Sequence, residues 1–239
     1  GDAMNEAHFV YIADVYCPWC YAFAPIMQKL AAEHPDIPVQ VLGGNLISDA
    51  ITLAEDVASS PGLTDFWREV EHASGRSLAG AIAAVEQGRD IRLSSPGADL
   101  VLTALQRLAP GHGLDQIVAL EDVFYGQGQD LFTEEALSAL ARRWGVALDA
   151  LMNEMQSPGT EQAAQAAHAK AAALMGEIGA YPSVFLVRGD KRDAVSRGYV
   201  HYETVAARLE DAMRDLGVDM EPGAACSWHG GCTVGRHSR

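Results

Sequence analysis

The sequence predicts an α/β fold in which one split domain, β-α-β at its start and β-β-α at its end, is interrupted by a large all-helical insertion. Three observations predict it. Residues 8–14 are short, apolar and rich in β-formers, and they lead through a helical stretch at 18–33 to a second extended run, Ile37-Pro38-Val39-Gln40-Val41-Leu42. From about residue 49 to 178 the apolar period is helical. It then changes again: residues 183–187 read as a strand, Gly189-Asp190 as a hairpin turn, 194–199 as the partner strand and 202–216 as an amphipathic helix.

The first unit should hold two parallel strands joined by a right-handed crossover. Pro18 suits the first position of its helix, because its fixed φ is helical and its missing N–H would be unpaired there anyway; Pro25, inside the helix, should kink it. In the helical block, Ser94-Ser95-Pro96 opens an apolar run to Leu108, with Ser95 as cap and Pro96 at the first position. Residues 114–125 form another helix, Thr133-Glu134-Glu135 opens one that ends by Gly145, and 148–155 is a short one; 64–75 and 78–87 have weaker patterns. Ser157-Pro158 starts an alanine-rich helix over 161–178, closed by Gly179. The division is residues 1–48 for the first half, 49–165 for the insertion, 166–216 for the second half and 217–239 for a Gly-rich tail with little periodicity.

A chain of 239 residues can bury a proper core. Its net charge of −15, with no basic block, argues against nucleic acid as a partner. No run of 18 apolar residues occurs, so no membrane span is expected. Four cysteines are too few to staple a fold of this size, and they fall in two close pairs, 17/20 and 226/232, which suggests redox or metal work. Gly1-Asp2-Ala3-Met4 lacks the basic start and apolar run of a secretory signal. A cytoplasmic location is therefore expected; a periplasmic one stays open, since a chain without Met at position 1 could follow a removed leader.

The chemistry concentrates at Cys17-Pro18-Trp19-Cys20, where the first strand runs into its helix. Cys17 would be the N-cap and Cys20 would lie inside the first turn. Unpaired N–H groups and the positive end of the helix dipole stabilise a thiolate there, and such sites can lower a cysteine pKa from ~8.5 to roughly 3.5–7.5. Cys17 is the expected nucleophile and Cys20 the resolving thiol. The competing reading of the pair, half a zinc site, would need two further ligands that only the distant tail could give. Trp19 is expected to be exposed, as part of an apolar docking surface for unfolded chains. Asp14 is either a proton acceptor for Cys20, through a pKa raised by burial, or a strand-end residue satisfied by backbone N–H groups. In the tail, Cys226-Ser227-Trp228-His229-Gly230-Gly231-Cys232 has three readings: a second redox pair exchanging with Cys17/Cys20, a staple for the tail, or, with His229 and His237, a soft-metal site. Met152, Met155 and Met175 read as core filler, and His72, His112 and His168 lack partners at ligand spacing.

With Cys17-Pro18-Trp19-Cys20 after the first strand, Ala180-Tyr181-Pro182-Ser183 before the third, and the helical block between them, residues 8–216 resemble the DsbA family of thiol–disulfide oxidoreductases, a thioredoxin fold with a helical insertion. The chain is most similar to the signal-less, FrnE-like or predicted protein-disulfide-isomerase branch, in which an acidic residue stands three positions before the first cysteine, as Asp14 does. The resemblance implies that Pro182 is cis and that the Tyr181 backbone pairs with an extended substrate strand, so that Pro18, Trp19, Tyr181 and Pro182 form a substrate groove. Tyr181 is bulkier than the Val or Thr usual at its position and would narrow that groove. Trp19 replaces the His with which DsbA proper stabilises its thiolate.

The expected activity is that of a protein disulfide oxidoreductase or isomerase acting on cysteine-containing polypeptides. Its cofactor is no more than the redox-active disulfide, with glutathione open as a redox partner, and no metal is assigned. Two alternatives stand beside it: a kappa-class glutathione transferase or 2-hydroxychromene-2-carboxylate isomerase, against which the paired Cys20 argues, and a non-enzymatic Cys/His metal-binding module.

Overall fold

The computed structural model describes residues 6–215, 224–228 and 230–234. Strand β1 (His8–Ala13) leads to helix α1 (Pro18–Glu33), and β2 (Val39–Gly43) returns parallel to β1, with Phe9 opposite Val39 and Ala13 opposite Gly43. Phe9 to Ala13 are all buried, as expected of a central strand covered on both faces. The helical block then carries a two-residue strand β3 (Ile51–Thr52), helices α2 (Leu53–Ser59), α3 (Leu63–Ser74) and α4 (Ala79–Glu86), and β4 (Arg92–Leu93), which pairs with β3. It continues with α5 (Ser95–Leu108), α6 (Gly113–Tyr125), α7 (Glu134–Arg143), α8 (Leu148–Met155) and α9 (Pro158–Met175).

After β5 (Ala180–Tyr181) the chain re-enters the main sheet through β6 (Ser183–Arg188) and β7 (Lys191–Arg197), followed by α10 (Tyr202–Asp215). The main sheet has the order β2-β1-β6-β7, with β6 antiparallel to both β1 and β7. The split α/β architecture with its helical insertion is the one the sequence predicts. The last described residues form a hairpin, β8 (Ala225–Ser227) and β9 (Cys232–Thr233), and β8 pairs with β5. This hairpin corrects the expectation of a patternless tail. Two- and three-residue strands carry no readable period, and this one exists only because a partner edge is present.

Two helix boundaries differ from expectation. Ser94, not Ser95, caps α5: its extended backbone lets its Oγ accept from the Gly97 N–H at 3.0 Å. Ser95 is buried and its Oγ accepts from the Ile47 N–H at 2.9 Å. Helix α9 ends at Met175, where Gly176 takes φ 59°, a region glycine enters without a Cβ penalty. Gly179, expected as the terminator, serves the tail instead. Helix α1 and the block share an aromatic seam in which Trp67 contacts Phe124 and Tyr125 edge-on, each at 5.9 Å, and Tyr125 lies 5.4 Å from Tyr21 of α1. Among the described residues, no helix is long and apolar enough to cross a membrane.

Candidate active site

Cys17 occupies the N-cap of α1 with extended backbone, and its Sγ accepts the Cys20 N–H at 3.3 Å. Pro18 follows at the first helical position. The strand-to-helix junction thus aims the Cys17 sulfur at the unpaired donors of the first turn. Across from it, the Tyr181–Pro182 peptide bond is cis, and the Cys17 Sγ lies 3.8 Å from the Tyr181 carbonyl oxygen. Cys17 and Cys20 are both free thiols and fully buried. Burial pushes the Cys20 thiol well above its ordinary value, the neighbouring Cys17 adds to this, and the charge of Glu121 acts in the same direction.

What buries Cys17 on its outer side is the tail. Strand β8 runs antiparallel to β5, placing Cys226 opposite Tyr181 and Ser227 opposite Ala180. The Trp228 N–H donates to the Gly179 carbonyl at 3.0 Å, and the Tyr199 N–H donates to the Ala224 carbonyl. The Trp228 ring rests directly on Gly179, where a Cβ would run into it. Cys226 and Cys232 form a disulfide with an S–S distance of 2.01 Å, and the sulfurs of Cys17, Cys226 and Cys232 all lie within 4.8 Å of one another. Three sulfurs so placed resemble a soft-metal ligand set, but a disulfide offers no thiolate, so this form has one ligand rather than three. His229 and His237, the other residues of the metal reading, lie outside the described residues.

Trp19 corrects a sequence expectation. It is fully buried, 5.2 Å from the Tyr199 ring and 6.4 Å from Phe66, so it packs inward instead of forming an exposed docking surface. Removing a large apolar side chain from water is worth roughly 1.5–3 kcal/mol, and Phe66 of the helical block together with Tyr199 after β7 supplies the walls that make this available. Tyr181 corrects another. Its ring is buried, it lies against Gly44, and its hydroxyl accepts the Asn45 N–H at 2.9 Å, so its bulk is taken into the core while its backbone pairs with Cys226.

Asp14 is also buried, and its two carboxylate oxygens accept the Tyr16 N–H at 2.9 Å and the Leu46 N–H at 3.0 Å. Burial raises its pKa and these two bonds oppose the rise. The second buried acid, Glu121 of α6, escaped sequence reasoning. It is fully buried, and both its oxygens lack a hydrogen-bond partner among the described residues. The readable signal was a carboxylate on the apolar stripe of Ile117, Leu120, Phe124 and Tyr125.

Burial raises the Glu121 pKa well above the carboxylate range, with Arg76 opposing. Burial therefore disfavours the charged form in the fold, so stability is greatest below the unfolded pKa of about 4.3 and is lost as pH rises toward the folded value. Glu121→Gln keeps the shape and removes the titration. It is expected to leave the melting temperature unchanged at pH 4 and raise it at pH 8 by several degrees, given that ~1 kcal/mol moves a chain of this size by roughly 2–4 °C. A parallel pH profile for wild type and variant would refute this.

Residues 10–210 match the family model described as DSBA-like thioredoxin domain. No curated protein matches the chain in sequence. In fold it is similar to a candidate protein disulfide isomerase of Nitrosomonas europaea, with 20% identity and a TM-score of 0.74 over 89% of this chain and 100% of that one. It is similar also to the cytosolic disulfide reductase DsbM of Pseudomonas aeruginosa, with 17% identity and a TM-score of 0.68 over 87% and 98%. A 2-hydroxychromene-2-carboxylate isomerase shares the fold at 13% identity, with a TM-score of 0.59 over 88% and 99%. With the strand-thiol-helix junction, the helical insertion and a family match over most of its length, the chain belongs to the DSBA-like thioredoxin domain family.

Proposed function

We propose that this chain is a thiol–disulfide oxidoreductase acting on cysteines of polypeptides, with Cys17 as nucleophile, Cys20 as resolving thiol and the Tyr181–Pro182 backbone as the edge on which the reacting strand lies. One observation carries the reading: a disulfide-bearing strand already lies on that edge, with its sulfurs within 4.8 Å of the helix-capping Cys17. Cys226 and Cys232 are in this reading a second redox pair. A chromene-carboxylate isomerase or glutathione transferase chemistry leaves Cys20 without a task. A cytoplasmic compartment fits this reading, as DsbM is described as cytosolic.

From the form described here, the Cys17 thiol gives its proton to solvent and the resulting thiolate attacks the Cys226 sulfur. The 17–226 bond forms, the 226–232 bond breaks, and Cys232, the less buried of the two, leaves as a thiolate that takes a proton from water. Cys20 then attacks Cys17, the 17–20 bond forms as the 17–226 bond breaks, and the Cys20 proton passes to the leaving Cys226 sulfur. Two electrons and two protons pass from 17/20 to 226/232, and the steps run equally in reverse.

Cys20→Ser tests this, because it removes the resolving thiol and stalls the exchange at the mixed disulfide. Alkylation with iodoacetamide followed by peptide mapping is expected to find Cys232 alkylated and Cys17 linked to Cys226. Alkylated Cys17 beside an intact 226–232 disulfide would show that the two pairs do not exchange.

A further inference from the structure

With the tail seated, Cys17, Cys20 and Cys226 are all fully buried, whereas Cys232 is half-buried. Cys232 also lines a cavity of about 650 Å³, bounded on one side by Gly230, Gly231 and Cys232 and on the other by Tyr16, Ile47, Phe66, Trp67 and Phe124. A volume of that size falls in the ~300–1,000 Å³ range of ligand sites and holds one or more large side chains. The charged residues among those described as lining it are Asp49 and Asp56, both acidic, on a chain of net charge −15.

We infer that Cys232 is the sulfur through which the protein exchanges with its partner, and that the cavity beside it receives an apolar side chain next to the cysteine of a polypeptide. This rests on the reading of Cys226/Cys232 as a redox pair and names its outer end. The β5 edge is filled by β8, so a partner strand does not reach Cys17 while the tail is seated. It reaches Cys232. In the reductive direction the Cys232 thiolate attacks a disulfide of the polypeptide: a bond forms between Cys232 and one partner sulfur, the partner's own disulfide breaks, and its second sulfur leaves as a thiolate. Cys226 then attacks Cys232, closing the tail disulfide and releasing the partner as a dithiol. Each pair thus has a buried resolving sulfur, Cys20 for Cys17 and Cys226 for Cys232. The aromatic and aliphatic lining selects an apolar neighbour to the reacting cysteine. The two aspartates, with no cation opposing them among the described lining residues, disfavour an anionic partner such as glutathione.

The experiment uses full-length chains in which Cys17 and Cys20 are both serine, so its result does not depend on Cys17 chemistry. One chain adds Cys226→Ser and keeps Cys232 as its thiol; the other adds Cys232→Ser and keeps Cys226. Each is mixed with a synthetic peptide disulfide bearing Phe beside its cysteine, and mixed-disulfide formation is followed by mass spectrometry. Cys232 is expected to react at least about tenfold faster than Cys226, a difference of roughly 1.4 kcal/mol. Equal rates, or faster reaction at Cys226, overturn Cys232 as the exchange point. On the Cys232 chain, the Phe peptide is expected to outpace both a Glu-flanked peptide and glutathione disulfide by a similar factor, and equal rates among the three overturn the assigned occupant.

Discussion

Cys17→Ser is expected to lower the reactivation of scrambled ribonuclease, assayed without an added small thiol, by about two orders of magnitude or more. The sulfur is the one atom that joins the three parts of the site: it caps α1, faces the carbonyl before Pro182, and lies within 4.8 Å of both sulfurs of the tail disulfide. Serine at this position is nearly isosteric and is itself a favoured helix N-cap, so its hydroxyl can take over the bond from the Cys20 N–H. The fold should therefore survive, with a melting temperature close to that of the wild type. The loss then reports chemistry, since an alkoxide is not formed near neutral pH where a thiolate is. Full activity in the serine variant would remove Cys17 from the reaction.

The second large effect comes from a residue with no reactive group. Gly179→Ala places a Cβ in the space held by the Trp228 ring, at a backbone position that alanine tolerates. Tail and β5 edge should then separate, because the Trp228–Gly179 main-chain bond, the Cys226–Tyr181 pairing and the ring contact are formed together or not at all. Cys17 would lose its cover. Its alkylation by iodoacetamide is expected to accelerate about tenfold or more, equivalent to roughly 1.4 kcal/mol of lost docking. The same substitution in the Cys20→Ser chain should abolish the 17–226 link. An unchanged alkylation rate would mean that the tail does not protect Cys17. Together the two variants separate the sulfur's reactivity from its access.

The outcome at Gly179 shows why part of this site was hidden in the sequence. In linear order it reads as the stop of an alanine-rich helix, but Gly176 makes that stop and Gly179 makes room for a residue 49 positions later. Trp19 and Tyr181 were misread for the same reason. An aromatic beside a cysteine has no local feature that tells inside from outside, and each was turned inward by walls that the chain supplies elsewhere, Phe66 and Tyr199 for one and Gly44 and Asn45 for the other. Glu121 carried a signal, a charge on an apolar stripe, but its position among the charges acting on Cys20 follows from the packing of α6 against α1.

By itself the sequence determined the alternation of β1, α1 and β2, the helical block, the return through β6 and β7, and the strand-to-helix junction at Cys17-Pro18, the proposed place of chemistry. These rest on period, proline geometry and helix ends, which act over a few residues. Only the tertiary structure decided that the tail is a strand on the β5 edge, that its disulfide meets Cys17, and that Cys232 is the least buried sulfur of the four. Hydrogen bonding between strands and the exclusion of water act between residues distant in sequence, and no local pattern of the seven residues from Cys226 to Cys232 encodes the edge they pair with.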